Sequence, residues 1–253
     1  MKKTFDQLET IVHPNRSEMG ASAGHAAAKI LRDVLFLSGS ARIIVASAPS
    51  QDETLSRLAQ EPRIDWSKVT VFHMDEYVGL SGSHPASFRA YQKEHFLSKV
   101  TPKAFHGIQA EADDLDSEVT RYTELMNESP IDLVCMGIGE NGHIAFNDPP
   151  VADFNDPQTI KVVELDEACR QQQVNDGCFP DFDSVPTHAL SLTCPALMSG
   201  KHLIITVPGK LKANAVKETL TGPITTTCPA SILRTHPNAE LHLDTDSYQL
   251  VGA

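Results

Sequence analysis

His143 has Asn141 two residues before it and Asp148 five after it, in the stretch at 131–150, IDLVCMGIGENGHIAFNDPP. An imidazole that titrates near neutrality, with an amide and a carboxylate close by, is equipment for moving protons. A tight turn with a structural His is the other reading. Asp75 and Glu76 make a second candidate, two adjacent carboxylates closing the apolar run at 69–72. Burial disfavours such charges. In extended chain one of the pair can face a crevice, where it can serve as a general base, and the other can anchor the loop. An acid that caps a neighbouring helix is the alternative. Third, the small-residue loop Ser47, Ala48, Pro49, Ser50, Gln51 follows the apolar run at 43–46 and precedes a helical stretch at 53–59. Hydroxyls and free N–H groups at a helix start suit a phosphate, though an ordinary strand–helix connection looks the same. Fourth, Lys210 and Lys212 open a helix after the run at 203–207. A cation in a first helical turn is unfavourable for the dipole unless an anion binds there.

The elements that must position these residues read as alternating strands and helices. Residues 1–16 read as a leading strand or arm. Ser17 is the expected N-cap of a long helix ending at Ser38-Gly39. Helices are also expected over 87–99 and 113–126. The run at 131–136 reads as a buried strand ended by Gly137, Gly139 and Gly142, whose glycines let the backbone turn sharply and another group come close. The string from Gly137 to Gly142 fits the dinucleotide pattern G-x-G-x-x-G. That pattern needs a helix opening at the glycines, for which Pro149 and Pro150 leave little room. Residues 159–165 read as a strand, 166–182 as a polar lid or flap, 187–193 as a strand or short helix, and 241–251 as a closing strand. The alternation predicts an α/β fold of three layers, α/β/α, with a Rossmann-like, mainly parallel sheet covered by helices on both faces. All four special loops follow strands, so Ser47, Ser50, Asp75, His143 and Lys212 are expected to meet on the carboxyl edge.

The 253 residues suit one domain over 1–253. A formal charge of −12 disfavours a nucleic-acid surface. No apolar run reaches membrane-spanning length and no signal peptide is expected. Five cysteines without C-x-x-C fit free thiols in the cytoplasm, and none of the eleven histidines has metal-ligand spacing.

Two long strings, Met74-Asp75-Glu76-Tyr77-Val78-Gly79-Leu80 and the one running from Gly137 through Gly142-His143-Ile144-Ala145-Phe146-Asn147-Asp148-Pro149, resemble the glucosamine-6-phosphate deaminase/isomerase family. The similarity extends over nearly the whole chain, including 185–190 and the Gly209/Lys212 turn. It implies an enzyme that turns an amino sugar phosphate into a ketose phosphate and ammonia, with no metal or organic cofactor. The acid matching Asp75 would move a proton between C2 and C1, the His matching His143 would open the ring, and the carboxylate matching Asp148 would orient that His. Asn141 joins this set, where many members carry Asp, and Asp148 stands for the commoner Glu. Lys212 and the loop of Ser47, Ala48, Ser50 and Gln51 would hold the phosphate, with Ala48-Pro49 replacing a Gly-Gly pair. Glu76 and Gly139 are expected as further substrate contacts. No Arg matches the family's further phosphate contact; Gln171, Gln172 and Gln173 occupy that neighbourhood. A 6-phosphogluconolactonase, with His143 as base for water, and a phosphosugar-binding protein without turnover are the alternatives. A homo-oligomer is a general expectation.

Overall fold

The computed structural model describes residues 1–251. A β-hairpin of β1 (Lys2–Phe5) and β2 (Leu8–His13) opens the chain, where one strand or arm was expected. Next come α1 (Arg16–Ser38), β3 (Ala41–Val45), α2 (Asp52–Gln60), β4 (Val69–His73), β5 (Asp75–Tyr77) and α3 (Phe88–Gln92), which continues as a π-helical turn. Then follow β6 (Ala104–His106), α4 (Leu115–Asn127), β7 (Leu133–Met136), β8 (Ile160–Glu164), α5 (Glu167–Asn175) and β9 (His188–Leu192). The chain ends with α6 (Cys194–Met198), β10 (Leu203–Val207), α7 (Ala213–Thr221), β11 (Ala239–Asp244) and α8 (Thr245–Tyr248).

The main sheet has the order β1-β2-β11-β10-β7-β3-β4-β6, and every pairing except β1 with β2 is parallel. Buried strand residues divide by parity between two cores. Ile43, Val45, Leu133 and Cys135 pack with α1 and α2, while Ile44, Val134 and Met136 pack with α4, α7 and α8. That is the signature of a sheet covered on both faces, the three-layer α/β arrangement. β5, β9 and β8 form a separate antiparallel sheet of three strands, which the sequence did not disclose. Its apolar side, with Tyr77, Val163 and Ala189, packs with Phe146, Cys169 and Phe179.

Chain order also fixes where a cleft can form. From β3 the chain moves outward through β4 to β6; from β7 it moves the other way to β10 and β11. β3 and β7 are therefore the strands at which the winding reverses, and connections diverge above them at the carboxyl edge. β11 lies between β2 and β10, an interior position rather than the closing one expected.

α1 is capped two residues earlier than the expected Ser17. Asn15 is the N-cap: its Oδ1 accepts from the Glu18 N–H at 2.9 Å, and its Nδ2 donates to the Glu18 carboxylate at 3.0 Å. The helix stops at Gly39, which has φ 72° and donates its N–H to Leu35. α1 lies hard against α2 through its glycines. A Cβ on Gly20 would stand 2.3 Å from the Glu53 Cβ, and one on Gly24 would stand 2.6 Å from the Arg57 Cβ. This contact places the start of α2, and with it the 47–51 loop. In an exposed helix Gly→Ala stabilises by about 1 kcal/mol. Gly20→Ala should reverse that sign, destabilising by about 1–3 kcal/mol through overpacking; urea unfolding of the pair of proteins measures it.

Candidate active site

Four adjacent parallel strands, β10, β7, β3 and β4, feed one cleft at their carboxyl ends. After β3 come Ser47, Ala48 and Ser50; after β4, Asp75; after β7, Gly139 and His143; after β10, Lys212. All of these line the cleft.

The segment after β7 contains no helix before β8, so the glycine pattern lacks the helix that a dinucleotide site requires. The bend instead folds onto itself. The Gly139 N–H donates to the His143 carbonyl at 2.9 Å, and Gly142, at φ 85°, donates to the Gly139 carbonyl at 3.1 Å. The His143 ring lies directly over Gly139: a Cβ there would come within 2.2 Å of Cε1. No side chain fits at that position while the ring stays in place. Behind the ring, Nδ1 is 2.8 Å from Asp148 Oδ1 and 2.8 Å from Asn141 Oδ1. Both are acceptors, so Nδ1 carries the proton. Asn141 Nδ2 in turn donates to Asp148 at 2.9 Å. Burial pushes the Asp148 carboxyl up, but hydrogen bonds from His143 and Asn141 more than offset it and hold the group below the usual range. Asp148 therefore stays ionised at neutral pH and fixes the tautomer, which leaves Nε2 as the ring atom free to exchange protons. Asn147 pins this loop to the small sheet, donating to the Ile144 and Leu192 carbonyls at 2.8 Å each.

Asp75 and Glu76 sit on opposite sides of β5, as extended chain requires. Asp75 faces the cleft. Burial first, then the neighbouring Glu76 charge, pushes its carboxyl well above the ordinary value, toward the range where an acid can both take and return a proton. Glu76 faces the other way, which corrects its expected role as a substrate contact. Its carboxylate is fully buried and accepts from Ser87 Oγ (2.9 Å) and from the N–H groups of Phe88 (2.9 Å) and Arg89 (3.0 Å), so it caps α3. Arg89 adds an ion pair at 3.3 Å.

Lys212 is only 8 % exposed, yet among the described residues no carboxylate lies within ion-pair distance of its ammonium. Burial lowers its pKa, opposed by the more distant charges of Asp176 and Glu140. A buried cation without a partner, facing a cleft, suits an anion. Across the cleft, Ser47 Oγ is held by the Gln92 amide at 2.9 Å. Gln51 lines the cleft too, but its side chain acts as a strut: Oε1 accepts from Thr206 Oγ1 at 3.0 Å, and Nε2 reaches the Thr206 carbonyl at 3.3 Å, tying the loop to β10.

The stretch expected as a flap contains α5, which brings Gln172 and Gln173 to the cleft wall. Cys169, also on α5, has its sulfur within 4.8 Å of the His143 and Asp148 donors, and burial pushes its thiol up. It is therefore a neutral neighbour of the pair at neutral pH. Gly139→Ala should push the His143 ring from its place and cut turnover by about 10²-fold, the usual cost of misplacing a reacting group by about 1 Å; kinetics and a crystal structure of the variant check both.

Comparisons with known proteins show the family. The family model described as glucosamine-6-phosphate isomerases/6-phosphogluconolactonase matches residues 14–242. A glucosamine-6-phosphate deaminase of Listeria monocytogenes serotype 4a (strain HCC23) is 37% identical over 214 residues, covering 85% of this chain and 89% of the relative. One from Oenococcus oeni (strain ATCC BAA-331 / PSU-1) is 40% identical over 181 residues, 72% of this chain and 75% of the relative. A solved monomeric glucosamine-6-phosphate deaminase superposes with a TM-score of 0.87 at 30% identity, covering 95% of this chain and 99% of its own. A 6-phosphogluconolactonase from Shewanella baltica OS155 shares the fold, with a TM-score of 0.75 at 15% identity over 96% and 97% of the two chains. The chain belongs to the glucosamine-6-phosphate isomerase/6-phosphogluconolactonase family.

Proposed function

We propose that the protein is a deaminating aldose–ketose isomerase that converts glucosamine-6-phosphate, or a close hexosamine-6-phosphate, to the matching ketose phosphate and ammonia. One observation carries the reading: a buried carboxylate with an elevated pKa, Asp75, shares a cleft with an unpaired cation, Lys212, and with an imidazole oriented from behind, His143. The similarity to relatives named glucosamine-6-phosphate deaminase supports it.

The phosphate docks on Lys212 and the 47–50 loop, and its binding energy holds the reacting carbons in place. His143 Nε2 exchanges a proton with the ring oxygen, and the sugar opens to its aldehyde. Asp75 takes the proton from C2 and returns it to C1. The carbon–nitrogen unit at C2 becomes an iminium; water adds there, and ammonia leaves as the ketone forms. The substrate's own carbonyl stabilises the intermediate, so the reaction calls for no cofactor. We place the enzyme in the cytoplasm, where free thiols persist; all five cysteines are unbridged.

Ammonia release across a panel of phosphorylated amino sugars tests the assignment. Glucosamine-6-phosphate or a near relative should release ammonia with an equal amount of ketose phosphate. Acid from 6-phosphogluconolactone without any ammonia would replace the reading with a lactonase. Asp75→Asn should lower kcat by about 10²–10⁴-fold with KM little changed, and Lys212→Ala should act mainly on KM. The proton-accepting form of Asp75 is the ionised one, so kcat should fall as pH drops through its raised pKa. The Glu76 charge helps to raise that pKa. Glu76→Gln should therefore shift the acidic limb of the pH–rate profile to lower pH, and an upward shift would contradict the coupling.

A further inference from the structure

Gln92, at the end of α3, is fully buried and does not line the cleft, yet its amide holds a group that does. Its Nε2 donates to the Ala46 carbonyl at 2.9 Å and to Ser47 Oγ at 2.9 Å. The opposite amide orientation would set Oε1 against the Ala46 carbonyl, one acceptor facing another, so only Nε2 fits there. Oε1 is buried and has no hydrogen-bond partner among the described residues, so the fold leaves one acceptor unsatisfied to keep both donations. A serine hydroxyl has a single hydrogen. Because Ser47 Oγ accepts from Gln92, that hydrogen points away from Gln92, and among the described residues it has no acceptor. Ser47 lines the same cleft as Ser50 and Lys212, so a free donor is left on the cleft side of the loop. α3 is itself fixed at both ends. Glu76, next to Asp75 on β5, caps its start. Near its end, Tyr91 Oη stands 2.6 Å from Asp52 Oδ1 and 2.8 Å from the Ala48 carbonyl. The helix thereby ties the 46–48 loop to the strand that carries Asp75.

We propose that Gln92 is a positioning residue that fixes the Ser47 hydroxyl as a hydrogen-bond donor to the substrate's phosphate. This deepens the proposed function and rests on its phosphosugar substrate. Phosphate oxygens accept hydrogen bonds, and a serine hydroxyl that rotates freely can present either its hydrogen or a lone pair to them. With its acceptor side taken by Gln92, Ser47 presents the hydrogen, and less ordering is left to be done when the ligand arrives. Gln92 touches no substrate atom and acts through Ser47.

The test uses the full chain with inorganic phosphate as probe, by calorimetry, beside steady-state kinetics on glucosamine-6-phosphate. Gln92→Met, matched in volume, and Gln92→Leu, a second apolar replacement should methionine pack badly, should each weaken phosphate binding about 3–10-fold, the worth of one ordinary hydrogen bond. KM should rise by a similar factor while kcat stays within about twofold. A double-mutant cycle separates positioning from packing. With Ser47→Ala already in place, Gln92→Met should change phosphate affinity by less than about twofold, because the group it positions is gone. Additive losses in that cycle would overturn the proposal, since Gln92 would then act other than through Ser47. Unchanged phosphate affinity in both Gln92 variants would overturn it, as would a wild-type chain that binds no phosphate. A fall in kcat with KM and phosphate affinity intact would overturn it too. If the wild type releases no ammonia but the cycle is non-additive as stated, the positioning role stands and the proposed reaction fails.

Discussion

The parallel direction of β10, β7, β3 and β4 is the constraint on which the rest of the structure depends. Four neighbouring strands that point the same way must release their chains on the same edge. Residues as far apart in order as Ser47 and Lys212 are thereby brought to one cleft. The ladder bonds and the apolar side chains packed on both faces hold the strand ends in fixed register, so the loops inherit rigid starting points. The winding reverses between β3 and β7, and the cleft opens above those two strands.

Within that frame, charge is distributed by depth and direction. His143 lies over Gly139 and is held at Nδ1 by two acceptors, one of them ionised. Its reactive atom is then a matter of geometry rather than of chance tautomer. Asp75 and Glu76 are chemically alike and adjacent, yet they do different things because alternate residues of a strand face opposite ways. Glu76 is satisfied by the start of α3; Asp75 has no such partner and carries both the burial cost and its neighbour's charge. Among the described residues Lys212 has no carboxylate within ion-pair distance, so an anionic ligand would complete the cleft electrostatically.

Much of this was legible in the sequence because the signals were local. Short apolar runs ended by Gly, Ser or Asp marked β3, β4, β7 and β10, and Pro149-Pro150 left little room for a helix after the glycine bend. Alternation along Asp75-Glu76 showed that the two acids diverge, but Glu76 was still expected at the substrate. Its actual partners, the N–H groups at the start of α3, lie a dozen residues on and become visible only in three dimensions. The antiparallel sheet was hidden for the same reason. β5 has three residues and follows β4 after a single one, so no period could separate them, and its pairing with β9 spans more than a hundred positions. β11 reads as a strand in sequence, but its place between β2 and β10 depends on partners at opposite ends of the chain. α5 is polar almost throughout, which masked both the helix and the two glutamines it brings to the cleft wall. Asn15 won the cap of α1 over Ser17 because Glu18 could answer it from the first turn.

Hydrogen exchange at the substrate tests the central claim most directly, because it reads the proton transfer proposed for Asp75 without requiring ammonia to leave. Fructose-6-phosphate incubated with the enzyme and ammonium chloride in deuterium oxide, followed by proton NMR, should lose one of its two C1 hydrogens to solvent. The same incubation with Asp75→Asn should show none of that loss. Exchange at full rate in the variant, or no exchange with the unaltered enzyme, would contradict the account.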